Sequence, residues 1–163
     1  CTDSEYRMQF SLWCLAGTPL IMGSDIRNIT PQMKNLLLNK ELIAINQDPE
    51  CRPPYLVGKR SVMVPEENSD DAVEPLRMVK DKLLTFIKHL SNQEFVIAYY
   101  NLHEEEQEMH CIFADVGLPY TSGYGFDMTD VFTGEHIGSK RDYHIVSVPG
   151  HDCRLFRCRL IKC

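Results

Sequence analysis

Residues 10–48 spell one helix, one short apolar strand and a second helix, and no other α/β unit follows them. The first helix opens at Thr2-Asp3-Ser4-Glu5, which has the form of a capping box: the Thr2 hydroxyl accepts from the Glu5 N–H and the Glu5 carboxylate reaches back. It should stop at Gly17, the residue that adopts a left-handed conformation most cheaply. Tyr6, Phe10, Trp13 and Cys14 fall on one face and Met8, Leu12 and Leu15 on another, with Gln9 and Ser11 as a thin polar edge. A helix apolar on two sides needs neighbours on both. Pro19-Leu20-Ile21-Met22-Gly23 is continuously apolar, the pattern of a parallel strand covered on both faces. Thr30 then caps a helix whose first residue is Pro31, where the missing N–H costs nothing. Met33, Leu36, Leu37 and Lys40 form its stripe, and Asn39-Lys40-Glu41 breaks it before a further short helix at 42–45. Isolated, this unit exposes Phe10, Trp13, Leu20 and Ile21 to water. Residues 1–48 are therefore expected to be the end of a larger α/β domain, with the rest of that domain or another subunit as partner.

Composition narrows the class. The chain has 163 residues, 44% of them hydrophobic, enough for a packed core. Its formal charge is −6 with Lys and Arg scattered, so no basic face for nucleic acid is visible. No apolar run approaches the roughly 20 residues of a membrane span. The first residue is Cys1 and not Met, so a leader would lie outside the view. Seven cysteines, an odd number without a secreted-miniprotein rhythm, suggest reduced thiols and a cytoplasmic protein. Cys153, Cys158 and Cys163 recur at intervals of five, which in a strand alternates faces. That argues against a shared metal, and the chain has neither a CxxC nor an HxH.

The pattern changes at Asp48-Pro49, where a domain boundary is expected. Three prolines within 49–54 preclude regular structure there. The polar stretch 65–75 reads as a surface loop, so that 49–82 forms a linker and loop. From about Leu83 the period becomes two. Leu84, Phe86 and Leu90 share a face, Ser91-Asn92-Gln93-Glu94 turns the chain, and Phe95, Ile97 and Tyr99 alternate with Val96, Ala98 and Tyr100. Glu104-Glu105-Glu106 and Glu108 mark a solvated hairpin tip. Further strands are expected at 111–116, 125–132, 143–148 and 153–161, between turns at Thr133-Gly134 and Pro149-Gly150-His151-Asp152. Short strands at regular spacing predict an antiparallel sandwich over 83–163.

Several segments carry a resemblance. Glu5-Tyr6-Arg7 with Phe10-Ser11-Leu12-Trp13 is similar to the seventh barrel helix of the α-galactosidase (melibiase) group, glycoside hydrolase family 27. Residues 16–23 resemble its eighth strand. Asp25-Ile26-Arg27-Asn28, Asn39-Lys40-Glu41 and Ile43-Ala44-Ile45-Asn46-Gln47-Asp48 resemble its eighth helix and exit. Residues 95–102 and Asp130-Val131-Phe132-Thr133-Gly134 resemble a strand and a turn of its sandwich. The implied fold is the last helix–strand–helix of a (β/α)8 TIM barrel followed by an all-β antiparallel sandwich. The implied activity is retaining hydrolysis of terminal α-linked galactose by two aspartates. In such enzymes the two carboxyls stand about 5–5.5 Å apart. Both belong to barrel strands that would precede Cys1, so no residue of this chain matches either. A full barrel takes roughly 250 residues, far more than residues 1–48 supply. No cofactor or metal is implied. α-N-acetylgalactosamine and β-L-arabinopyranose remain open as alternative sugars.

At the expected barrel rim, Met22, Ser24 and Asp25 are the candidate substrate contacts. Asp25 equally fits a loop residue that binds backbone N–H groups or pairs with Arg27. Asp48 suits a capping or linking role. Asp115, Asp127 and Asp130 read as solvated, and His103 and His110 beside the Glu run as no more than a remote metal clip. His136, His144 and His151 have no partner fixed by spacing. Cys14 and Cys158 read as inert small hydrophobes. Tyr99, Tyr100, Tyr120 and Tyr124 read as core or cross-strand pairs, although as a platform they would suit the alternative of a non-catalytic carbohydrate-binding or interaction module.

Overall fold

The computed structural model describes residues 1–23, 25–65 and 76–163. Among these residues three α-helices lead, α1 (Asp3–Ala16), α2 (Pro31–Leu37) and α3 (Lys40–Asn46), and eight strands follow. These are β1 (Tyr55–Pro65), β2 (Leu76–His89), β3 (Glu94–Asn101), β4 (Gln107–Ile112), β5 (Tyr124–Asp130), β6 (His136–Lys140), β7 (Tyr143–Val148) and β8 (Asp152–Lys162). Six strands form one antiparallel sheet in the order β1-β2-β3-β8-β5-β6, and β4 pairs with β7 in a second.

The helix ends follow their local chemistry. Thr2 and Glu5 form the reciprocal capping box, and Gly17 closes α1 at φ 70°. Thr30 Oγ1 accepts from the Met33 N–H with Pro31 first in α2. Asn39 caps α3 by accepting from the Leu42 N–H at 3.0 Å.

The large sheet is buried on both faces. Phe10, Cys14, Leu15, Leu42 and Ile45 of the helices pack with Leu90, Val96, Ala98, Tyr100, Cys153 and Leu155 on one face. On the other, Ile97, Tyr99, Phe126, Met128, Phe156 and Cys158 meet Met109, Cys111 and Val148 of the small sheet and Phe113 of the turn after it. The period-two pattern of β3 therefore separates two cores and not a core from solvent.

Polar contacts lock α1 and α3 to the large sheet. The Arg7 guanidinium grips Asp152, itself almost wholly buried, through two hydrogen bonds. The Ser11 hydroxyl lies 3.1 Å from the Tyr100 hydroxyl and 3.3 Å from Cys153 Sγ. Lys88 of β2, fully buried, donates from Nζ to the Leu15 carbonyl at 2.9 Å, at the negative end of α1. Asp48 accepts from the N–H and hydroxyl of Ser91 at 2.9 and 2.7 Å. Arg157 joins Glu41 of α3 to Glu94 of β3.

Five sequence expectations are corrected. Residues 19–23 are not a strand; an apolar run becomes a strand only when neighbouring strands take its N–H and C=O groups. Phe10 and Ser11 are buried, whereas Tyr6, Leu12 and Trp13 are open, because the sheet takes the face defined by positions 10, 11, 14 and 15. Strand structure begins at Tyr55 and not near Leu83, since β1 pairs along β2. The Glu104–Glu106 segment is a crossing between sheets and not a hairpin tip, because β3 belongs to the large sheet and β4 to the small one. Residues 113–116, expected within a strand, form a 3-10 turn instead. The expected surface loop lies, apart from Pro65, outside the described residues.

Candidate functional site

The face of α1 turned away from the sheet borders a groove of ≈ 630 Å³. Tyr6 and Trp13 of α1, Leu20–Met22 of the following segment, Met33 and Leu37 of α2 and Ile43 of α3 line it. Its position follows from the chain's geometry. Gly17 reverses the backbone, the Thr18 N–H and hydroxyl both donate to the Trp13 carbonyl at 3.2 Å, and Asn46 Nδ2 donates to the Thr18 carbonyl at 2.8 Å. Beyond that tether the segment runs out over the groove. Ile21 is 84% exposed, Met22 51% and Trp13 44%. Large apolar side chains open to this degree, gathered on one surface, mark a binding face.

Of the three predicted rim residues, Met22 lines this groove. Ser24 lies outside the described residues. Asp25 is exposed and engaged: its carboxylate accepts from Arg27 Nε and Nη2, both at 2.8 Å, and from the Arg27 N–H at 3.0 Å. The Arg27 guanidinium, followed by its backbone N–H, holds the Asp25 carboxyl below the ordinary carboxylate value. Asp25 thus caps the 3-10 turn Ile26–Asn28.

The other candidates are engaged by partners within the fold. Asp48 joins the helical segment to the sheet; burial pushes its carboxyl up, but hydrogen bonds from Ser91 and Glu50 and the charge of Lys88 outweigh it and leave it lowered. His103 is buried, and its Nδ1 accepts from the Glu105 N–H. Asp130 accepts from the Phe132 and Thr133 N–H groups and so shapes the Thr133-Gly134 turn. Asp127 pairs with His136 at 2.7 Å and His151 with Glu104 at 3.0 Å. Tyr99 and Tyr100 are buried while Tyr120 and Tyr124 are exposed, so the four do not form one platform. All seven cysteines are unpaired; burial pushes Cys14, Cys111 and Cys153 up to about 12, and Cys158 up as well. Among the described residues no helix is long and apolar enough to cross a membrane.

Sequence reasoning missed three side chains. Lys88 sits between Phe86 and Leu90 on an apolar face, a signal that was readable. His144 lies 5% exposed with Nδ1 3.0 Å from the Tyr99 hydroxyl, joining the two sheets. Burial, then the charge of Lys140, lowers its imidazole to about 4. Ser11 carries no signal, since its burial depends on where Tyr100 and Cys153 fall.

Residues 2–48 match the family model described as α-galactosidase A, and residues 80–158 match the α-galactosidase C-terminal β-sandwich domain. The α-galactosidase of Oryza sativa subsp. japonica is 26% identical over 155 residues, covering 95% of this chain and 32% of the rice protein. The probable α-galactosidase B of Aspergillus clavatus is 31% identical over 156 residues, covering 93% and 34%. The chain thus spans about a third of the length of these relatives. The crystal structure of α-galactosidase I from Mortierella vinacea superposes with a TM-score of 0.79 at 25% identity, covering 97% of this chain and 36% of that one. The expected order of a helical barrel end and an antiparallel sandwich holds throughout the matched regions, and the chain belongs to the α-galactosidase (melibiase) family, corresponding to its carboxy-terminal part.

Proposed function

We propose that this chain is the carboxy-terminal portion of a retaining α-galactosidase, in which residues 1–48 complete the catalytic barrel and the sandwich holds them in place. The observation that carries the reading is the two-sidedness of α1. One face is welded to the sheet through Arg7, Ser11, Cys14 and Leu15, and the other opens Tyr6 and Trp13 into an apolar groove beside the unpaired segment 19–23. Preceding barrel units would fill that groove and give residues 19–23 strand partners on both sides. The two catalytic aspartates belong to those units, and the substrate is a terminal α-galactoside. Met22, Ser24 and Asp25 would then stand at the rim of the sugar pocket, with Arg27 keeping the Asp25 carboxylate ionised and oriented. The seven thiols support a reducing, cytoplasmic setting.

The chain has one tryptophan, so 5-fluorotryptophan labelling gives a single ¹⁹F resonance from Trp13. Adding the part of the Aspergillus clavatus relative that this chain does not cover, in trans or joined ahead of Cys1, should shift that resonance and remove its sensitivity to solvent. The joined protein should release p-nitrophenol from the α-galactoside faster than from the α-N-acetylgalactosaminide or the β-L-arabinopyranoside. A folded joined protein that leaves Trp13 solvent-exposed and hydrolyses none of the three refutes the proposal.

A further inference from the structure

A second concavity, of ≈ 490 Å³, lies on the sheet between α3 and strands β8 and β5. It is independent of the groove and of the reading above. Its frame is set by strand register: Glu94 of β3 stands opposite Arg159 of β8, and Arg159 opposite Asp127 of β5, so three charged side chains occupy one rung. On the next rung Arg157 stands opposite Thr129. Glu94 accepts from Arg157 Nε at 2.8 Å and from Arg159 Nη2 at 2.9 Å, and Arg157 Nη1 donates to Glu41 at 2.9 Å. Glu94 and Arg157, each held by two partners, are thus fixed before any ligand arrives, and Glu94 in turn anchors Arg159, which reduces the entropy cost of binding.

The groups facing the opening have hydrogen-bonding capacity to spare. Arg159, with 72% of its side chain exposed, makes its ion pair to Glu94 through Nη2. Asp127 pairs with His136 through Oδ1, and Asp130 receives the Phe132 and Thr133 N–H groups on its Oδ1. The composition decides what fits. An anion would meet Glu41, Glu94, Asp127 and Asp130; a divalent cation would meet Arg157 and Arg159. Among the described residues the lining holds no aromatic ring for an apolar ligand. A neutral molecule rich in hydroxyls satisfies donors and acceptors together, because vicinal hydroxyls both give and accept hydrogen bonds, and the volume suits one or two sugar rings. We infer that the cleft between α3 and the β8–β5 strands is an accessory site for a neutral mono- or disaccharide, gripped by Arg159 and Asp127.

The test is a ¹H–¹⁵N titration of the full chain with methyl α-D-galactopyranoside and melibiose, with inorganic phosphate as a separate probe. Saturable shifts at Thr129, Gly134 and the Arg159 side chain are expected, with a Kd on the order of millimolar. Arg159→Met and Asp127→Asn should each weaken binding by about tenfold or more. Arg157 still holds Glu94 when Arg159 is replaced, and Asp127→Asn provides a second, milder reading. No shift with either sugar, shifts confined to the groove around Trp13, unchanged affinity in both variants, or phosphate binding more tightly than the sugars would each overturn the assignment.

Discussion

Acidification should loosen the join between the two sheets through His144, and by a predictable amount. The ring lies between Tyr99 of β3 and Phe156 of β8, with centroids at 5.7 and 4.7 Å. It bonds the Tyr99 hydroxyl through Nδ1, which is satisfied by a neutral imidazole in either tautomer. Burial and, secondarily, Lys140 lower its pKa from 6.5 to about 4. The folded chain therefore binds a proton less readily than the unfolded chain. Stability is complete above 6.5 and falls as the pH drops from 6.5 towards 4. At about 1.36 kcal/mol per pH unit, the full window amounts to roughly 3 kcal/mol, and the part above pH 5 to about 2. Asp48 and Glu94, whose carboxyls are lowered, add their own loss only nearer the ordinary carboxylate range. His89, lowered by burial and by Arg52, acts in the same direction, so a variant must separate the two. Urea unfolding followed by circular dichroism at pH 7, 6 and 5, on the parent chain and on His144→Gln, makes that separation. The parent should lose about 2 kcal/mol more than the variant across this range. Equal losses in both chains, or an imidazole that titrates near 6.5 by NMR, would refute the reasoning.

Two further perturbations test the joints. Lys88→Met removes the ammonium that donates to the Leu15 carbonyl at the end of α1 and should cost about 1–3 kcal/mol; hydrogen exchange should speed up in α1 first, and unchanged α1 protection would contradict the role assigned to Lys88. A methyl group on Gly150 would come 1.8 Å from the Glu104 carbonyl oxygen, which is backbone and cannot swing aside. Gly150→Ala should therefore cost about 1–3 kcal/mol, read in calorimetry at about 2–4 °C of Tm per kcal/mol. Gly23→Ala, where the added carbon meets nothing within 4 Å, should leave Tm near the parent value.

Local chemistry determined the helix boundaries and the alternation. The capping groups of Thr2, Thr30 and Asn39 and the left-handed Gly17 act within a few residues, so their outcome is already contained in the sequence. The same holds for the β3 alternation of Phe95, Ile97 and Tyr99 with Val96, Ala98 and Tyr100, and for the family-like segments that pointed to the barrel end and sandwich. Tertiary structure decided what depends on distant partners. Residues 19–23 have strand composition but, among the described residues, no neighbouring strand, and β6, around Gly138, has little strand signal but gains one from pairing with β5. Which face of α1 is buried, why a lysine sits in the core at position 88, and how Arg159 comes to lie between Glu94 and Asp127 all rest on contacts between residues tens of positions apart. A sequence states the local preferences; the register of the sheet and the docking of the helices choose among them.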